Sequence, residues 1–351
     1  MRSSNMTDRT GLSLTTAADI FLPGAGEMAT LTRAYDWAAT PLGPVEGWTT
    51  SLRTTVSTLL ASRHAMFLWW GPDLIQFYND GYRPSLGPDR HPSALGARGR
   101  ECWAEIWPYI GGEIESIMAG GEATWHEDRL VPITRGDRVQ DVYWSYSYSP
   151  VRDDDGGVGG VLVTVQETTR RVVSERRTRL LQEMAASLLH ARTAQDVCDA
   201  AVGSFESAPD DLAFGLVYLR DPVAGVLRLC DAAGLEPGSS AAPAEIAMAD
   251  PAEGGEWSAP GEAIFRERWP EPVAVAGTLP LTTGVAGHRT HGVVILGLNP
   301  RVPLDAAARR FGAQVAHEIA TALDGVERLA QERAAALAAA NAERELLSSV
   351  F

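Results

Sequence analysis

Positive charge is in short supply in this sequence. Its 30 basic residues, all of them arginine because lysine is absent, face 45 acidic ones, for a formal charge of −15 over 351 residues. So acidic a chain excludes a nucleic-acid binder, because neutralising phosphates takes a dense basic surface. The absence of lysine reads as the imprint of a GC-rich genome, since no single site would demand it. Long apolar runs are missing as well. No segment reaches the ~18 apolar residues that span a bilayer, and the stretch before Gly24 carries no run of signal-peptide length, so a cytoplasmic protein without a membrane span is expected. Cysteine is scarce: Cys102, Cys198 and Cys230 lie far apart without CxxC spacing. That pattern suggests neither a disulfide framework nor zinc, and all three are expected to stay reduced. No Ser/His/Asp grouping, carboxylate pair or metal-spaced ligand set assembles a catalytic site, so no enzyme and no metal are expected in this chain.

What is present is apolar material enough for two cores, at 45% of residues. After a small, polar and flexible lead-in over 1–25, "GEMATLTRAYDWAAT" and "TTSLRTTVSTLLASR" carry apolar residues at helical spacing. "AMFLWW" and "LIQFYN", split by Gly71-Pro72-Asp73, read as antiparallel strands. A helix is expected over "CWAEIWPYIGGEIESIMAGG" and strands over "ATWHEDRLVPI", "VYWSYSYSPVR" and "GVLVTVQET". The last two strands flank "DDDGGVGG". A calcium loop needs alternating ligands closed by a glutamate, and a phosphate loop needs a helix after it. A strand follows here, so the stretch reads as a plain hairpin turn.

From Thr168 the pattern becomes a charged helix with a narrow stripe of Val173, Leu180, Met184 and Leu188, a spacing that pairs with a second copy in a dimer. Beyond it "AFGLVYLRD" and "GVLRLCDAAG" form a hairpin, "GEAIFRERWP" a short helix, and "TLPLT" and "GVVILGL" further strands. A helix from about Asp305 runs on without a cap or proline stop, with apolar residues at Leu323, Val326, Leu337 and Leu347.

Taken together, "AYDWAATPLGPVEGW", "SLRT", "MFLWWGPDLIQFYNDGYRPSLG", "WAEIW", "SYSPVRDDDGGVGGVLVTVQETT" and "LGLNPRVPLDAAARRF" resemble the PAS-plus-GAF sensory region of bacterial multidomain signalling proteins, typically hybrid histidine kinases or PP2C-type phosphatases. The resemblance implies an α+β fold. A PAS-like domain would occupy 26–169, a connector helix 170–192, a GAF-like domain 193–323, and a signalling helix over 324–351 would lead to an output domain that this sequence lacks. Each module would be an antiparallel sheet with flanking helices, in a homodimer that senses a small ligand or partner.

The resemblance also nominates site residues. In light-oxygen-voltage members of the PAS family a cysteine in a G-R-x-C context forms the flavin photo-adduct and a glutamine on the last strand contacts the ring; Cys102 and Gln166 match those positions, and Trp144 is nominated with them as a candidate pocket residue. Glu101, Trp103 to Glu105, and Ser145 depart from that pattern, so flavin is the alternative and a non-enzymatic ligand sensor the main reading, with a ligand-free dimerisation scaffold as the third. Trp69, Trp70, Trp103, Trp107, Trp144, Tyr146 and Tyr148 either line a pocket or simply pack a core. His126 is the one haem-ligand candidate, in a "HED" context that suggests a solvated strand end. "HEIATAL" resembles a phosphoacceptor box but lacks its arginine and proline, leaving His317 as a surface residue. The cyclic-nucleotide and bilin signatures of GAF domains are absent, and Cys198 and Cys230 read as core residues.

Overall fold

The computed structural model describes residues 17–87, 90–136, 138–247, 255–283 and 289–350. The chain divides into two compact units, Met1–Thr169 and Arg170–Phe351.

The first unit opens with α1 (Ala17–Phe21), α2 (Glu27–Ala34), two single 3-10 turns (Trp37–Ala39 and Val45–Gly47) and α3 (Thr50–Ala61). Residues 1–16 of the expected lead-in lie outside the described residues, but order begins before Gly26. Leu22 is fully buried, and Ala18 and Phe21 pack on the same core. β1 (Met66–Trp70) and β2 (Ile75–Tyr78) follow, then the short α4 (Arg83–Leu86) and α5 (Gly99–Cys102), and α6 (Trp107–Met118). The single helix expected from Cys102 breaks at Trp103–Ile106. Pro108 has no N–H to give a preceding turn, so it is accommodated only in the first turn of α6. β3 (Thr124–Leu130), the ribbon β4 (Ile133–Arg135) and β5 (Arg138–Gln140), β6 (Tyr143–Arg152) and β7 (Val158–Glu167) complete the unit. Its antiparallel sheet runs β2-β1-β7-β6-β3. Apart from Gln76, β1 and β2 carry large, mostly apolar side chains because both faces are covered. Phe77 stacks on Trp37 at 4.7 Å on one face, while Phe67 meets Trp103 at 6.2 Å on the other.

Polar side chains tie the N-terminal helices to this sheet. Asn79 is fully buried; its amide donates to the carbonyls of Leu59, Ser62 and His64 and its oxygen accepts from the N–H groups of Met66 and Tyr82. Asp80 accepts from Met28 N–H at the start of α2. Asp154, in the β6–β7 loop, accepts from Thr50 N–H, Ser51 N–H and the Ser51 hydroxyl, so a hairpin tip caps α3 from a hundred residues away. The "DDDGG" stretch is thus a hairpin, as expected. Asp153 and Asp155 spend their oxygens on the turn's own N–H groups, and no metal-holding cluster occurs among the described residues.

This cap makes a pH-dependent prediction. Hydrogen bonds from Ser51 and Thr50 hold the Asp154 carboxyl below its ordinary range. A depressed carboxyl contributes stability that is complete above the ordinary value of about 4 and is lost as pH falls through the lower folded value. Asp154→Ala is therefore expected to melt below the parent at pH 7, with the gap closing in strong acid, and calcium should move neither protein. Equal melting temperatures at pH 7 would refute the cap.

The second unit starts with α7 (Thr169–Leu188), α8 (Ala194–Glu206), β8 (Leu212–Asp221) and β9 (Val226–Ala233). Two short edge strands not expected from sequence, β10 (Glu245–Ala247) and β11 (Glu256–Ser258), come next, followed by β12 (Ala276–Thr283), β13 (Arg289–Leu298) and α9 (Ala306–Val350). The sheet order is β10-β9-β8-β13-β12-β11. A capping box of Thr193 and Asp196 starts α8. "GEAIFRERWP" is not a helix: Ile264 and Trp269 are buried while Phe265 between them is 62% exposed, a spacing that no helix face gives. Arg266 instead donates to Gly234 O, and Val273 N–H to Ile264 O.

The stripe on α7 is also corrected. Leu180, Met184 and Leu188 are buried in one cluster with Val197, Phe205, Phe311, Val315 and Ile319 of the same chain. Three of the four residues read as a dimer seam are therefore packed within the chain. Charged contacts reinforce it: Arg176 and Arg177 both pair with Asp211, whose side chain is fully buried, and the Arg177 guanidinium lies 5.0 Å from the Phe311 ring. On α9, Leu323 and Val326 complete this core, Leu329 and Leu337 are exposed, and the Leu347 side chain lies outside those described.

Candidate functional site

The first unit holds a cavity of about 60 Å³, partly open at its mouth and lined by Phe67, Trp69, Trp103, Trp144, Tyr146, Tyr148 and Val163 together with aliphatic residues on and just before α6 and β4 and on β7. Alternation along the strands puts these residues there. Phe67 pairs with Val163 and Trp69 with Val161 across β1 and β7, and Tyr148 with Val163 across β6 and β7, so all point to the face covered by α6.

At one end, Gln76 is fully buried. Its Oε1 accepts from the indoles of Trp69 (3.2 Å) and Trp103 (2.8 Å), and its Nε2 donates to Ala94 O at 2.8 Å. This one amide locks two of the lining rings. The sequence signal was the single polar residue inside the apolar run "LIQFY".

The polar end is built by a bulge. β3 pairs His126 with Tyr146 and Arg129 with Trp144, and the register shifts between them. Residues 126 and 129 of a regular strand would face opposite sides; the extra residue turns both toward α6. Asp128 takes the strain at φ 50°, held by the Ser145 hydroxyl, which accepts from Asp128 N–H at 3.1 Å. Glu113 on α6 then accepts from His126 Nε2 (2.8 Å) and Arg129 Nη1 (2.5 Å), and Arg129 Nη1 also donates to the Tyr146 hydroxyl at 3.1 Å. Burial pushes the Glu113 carboxyl up, but the bonds from Arg129 and His126 outweigh it and leave it below its ordinary value. Burial raises both Tyr146 and Tyr148, so the phenols facing the cavity stay neutral. His126 is therefore a partner of Glu113 and no lining residue. Glu113 and Arg129 carried no sequence signal, because their meeting depends on the bulge.

Of the three nominated cofactor residues, the structure brings Trp144 to the cavity and leaves the other two outside it. Gln166 pairs with Ser145 and is exposed on the opposite face of the sheet. Cys102 lies half-buried beside Gln76, its thiol pushed up by burial, and is not among the lining residues. The thiol of Cys102 and the amide of Gln166 thus do not converge with Trp144 on this cavity. His317 is exposed on α9, as expected. A larger groove of about 460 Å³, bounded by Trp48, Trp70, Pro72 and Val158, has Thr49 and Asp153 as its polar side chains and no converging set.

A family model described as the PAS fold matches residues 75–173, from β2 into α7. No curated relative matches the sequence. Among similar solved structures is the GAF domain of an Acinetobacter phosphoenolpyruvate-protein phosphotransferase, 15% identical, covering 45% of this chain and 95% of that one at a TM-score of 0.33. Another is a PAS domain from Colwellia psychrerythraea, 13% identical, covering 34% and 98% at 0.27. A third is a sensory box sensor histidine kinase from Vibrio cholerae, 18% identical, covering 33% and 91% at 0.25.

Proposed function

We propose that this chain is a non-enzymatic sensory region, a PAS-like module followed by a GAF-like one, in which the cavity of the first unit takes a small apolar guest. The observation that carries the reading is an aromatic cavity whose rings are fixed by Gln76 at one end and by the Glu113–Arg129–Tyr146 network at the other. Pre-positioned walls with few polar groups suit a guest held by shape and dispersion. About 60 Å³ exceeds the room one water needs and falls short of the ~150 Å³ that admits benzene, so the guest is of a few heavy atoms.

The route out is short. Trp144 and Tyr146 line the cavity on β6, and Tyr143 at the head of that strand accepts from Thr168 N–H (2.8 Å) while its own N–H reaches the Thr169 hydroxyl (3.0 Å), where α7 begins. A guest that shifts β6 therefore acts on the first turn of α7. The helices α7 and α9 would carry this to an output domain of the kinase or phosphatase class, by selecting between packings that differ by a few kcal/mol.

Xenon is a suitable probe. Saturable, near one-to-one binding by 129Xe NMR, with altered amide exchange at Thr168 to Arg171, is expected for the parent. It should be lost in Val163→Phe and in Val165→Phe, either of which fills the cavity. Xenon binding unaffected by both plugs, or none in the parent, would remove the sensor reading and leave a ligand-free scaffold.

A further inference from the structure

The fold unites two cysteines that the sequence keeps apart. Cys198 stands on α8, and Cys230 lies on β9, the strand over which α8 packs. Cys198 lies within the core cluster of this unit and Cys230 packs against it. The Cys230 thiol donates to Gln195 Oε1 at 3.4 Å, and Gln195 is on the same helix, three residues before Cys198. Cys198 is fully buried; Cys230 is partly exposed at the edge of the same core. A partly exposed thiol backed by a buried one is the arrangement of a reactive cysteine with its resolving partner.

We propose that Cys198 and Cys230 are a reversible, peroxide-reactive thiol pair in the second unit. The Cys230 thiolate attacks one oxygen of hydrogen peroxide, the O–O bond breaks, and the departing hydroxide takes up a proton as water, leaving Cys230 as a sulfenic acid. The Cys198 sulfur then attacks the Cys230 sulfur. An S–S bond forms, the S–O bond breaks, and the oxygen leaves as a second water with the Cys198 proton. Two thiols have lost two electrons and the peroxide has gained them; a dithiol reductant reverses the change. The division of labour follows from exposure: Cys230, partly exposed, meets the peroxide, while Cys198, fully buried, is the resolving thiol. The bond would fasten α8 to β9 in the core that also holds α7 and α9. This inference is independent of the cavity.

Peroxide titration of the reduced full-length chain, read by intact mass and peptide mapping, tests it. The expected result is a loss of about 2 Da, the two hydrogens of the thiols, with Cys198 and Cys230 in one crosslinked peptide pair, Cys102 still alkylatable, and full reversal by dithiothreitol. Cys198→Ala should trap Cys230 as a dimedone-reactive sulfenic acid, and Cys230→Ser should abolish both products. Oxidation of Cys230 to sulfinic acid without a crosslink in the parent, or oxidation of Cys102 ahead of the pair, would overturn the proposal, whether or not either variant folds.

Discussion

Glutamate at both Leu180 and Leu188 is expected to unfold the second unit. These side chains are 4% and 7% exposed in the cluster that joins α7, α8 and α9. Each buried leucine contributes roughly 2 kcal/mol, and each carboxylate put in its place adds a desolvation cost of a few kcal/mol more, met only in part by protonation. Two such changes approach the ~5–15 kcal/mol that holds a whole domain together. Amide exchange gives the readout. Protection in β8 and β13 should collapse, while protection in β6 and β7 of the first unit remains. Leu337→Glu, at a position 65% exposed on α9, should change stability by no more than about 0.5 kcal/mol. A double variant that keeps β8 and β13 protected would show that α7 is not part of this core, and would restore the reading of its stripe as a seam between chains.

The second large effect is expected at Asp211. Its carboxylate is fully buried and accepts from Arg176 and from Arg177 Nε at 3.2 Å. Arg176 keeps a neighbour, since Asp210 lies 3.5 Å from its Nη1. Arg177 has no second acidic partner among the described residues, and its side chain is only 8% exposed. Breaking a buried pair by removing one partner leaves an uncompensated charge, worth about 3–5 kcal/mol. Asp211→Ala should therefore lower the denaturant midpoint strongly, and Asp211→Ala combined with Arg177→Met should recover much of the loss, because the stranded cation is gone. A loss below about 1 kcal/mol in the single variant would mean that water reaches Arg177.

The sequence was most readable where period and turn chemistry agree. The antiparallel pair "AMFLWW" and "LIQFYN", the hairpin at Asp153–Gly157 and the alternation of Trp144, Tyr146 and Tyr148 all follow from a two-residue repeat bounded by turn residues. It was least readable where meaning depends on a distant partner. A charged helix with four apolar positions looks alike whether its stripe meets a second copy or folds back onto its own sheet, and only α8 and α9 decide between them. Asp154 looked like a turn residue and is one, but its cap on α3 is invisible without the fold. Glu113 and Arg129 meet through one extra residue in β3, and a bulge leaves no periodic mark. The cavity residue Trp144 followed from strand alternation; Gln166, matched by position, faces the other way because adjacent strand residues do.

The exposed length of α9 can be treated mechanically. Val326 is the last buried residue among those of α9 whose side chains are described, and the helix continues to Val350. At 1.5 Å per residue that is an arm of roughly 36 Å. Rotating its base by about 5° displaces the tip by ~3 Å, so a movement too small to disturb the packing of Leu323 and Val326 becomes one as large as a hydrogen bond is long. The pivot is soft: Gly325, with open space where a Cβ would stand, sits at the junction and weakens the helix by about 1 kcal/mol relative to alanine. Beyond it the run from Ala334 to Ala340 is among the stiffest that helix propensity allows. Compliance at the fulcrum and rigidity along the beam is what a lever requires.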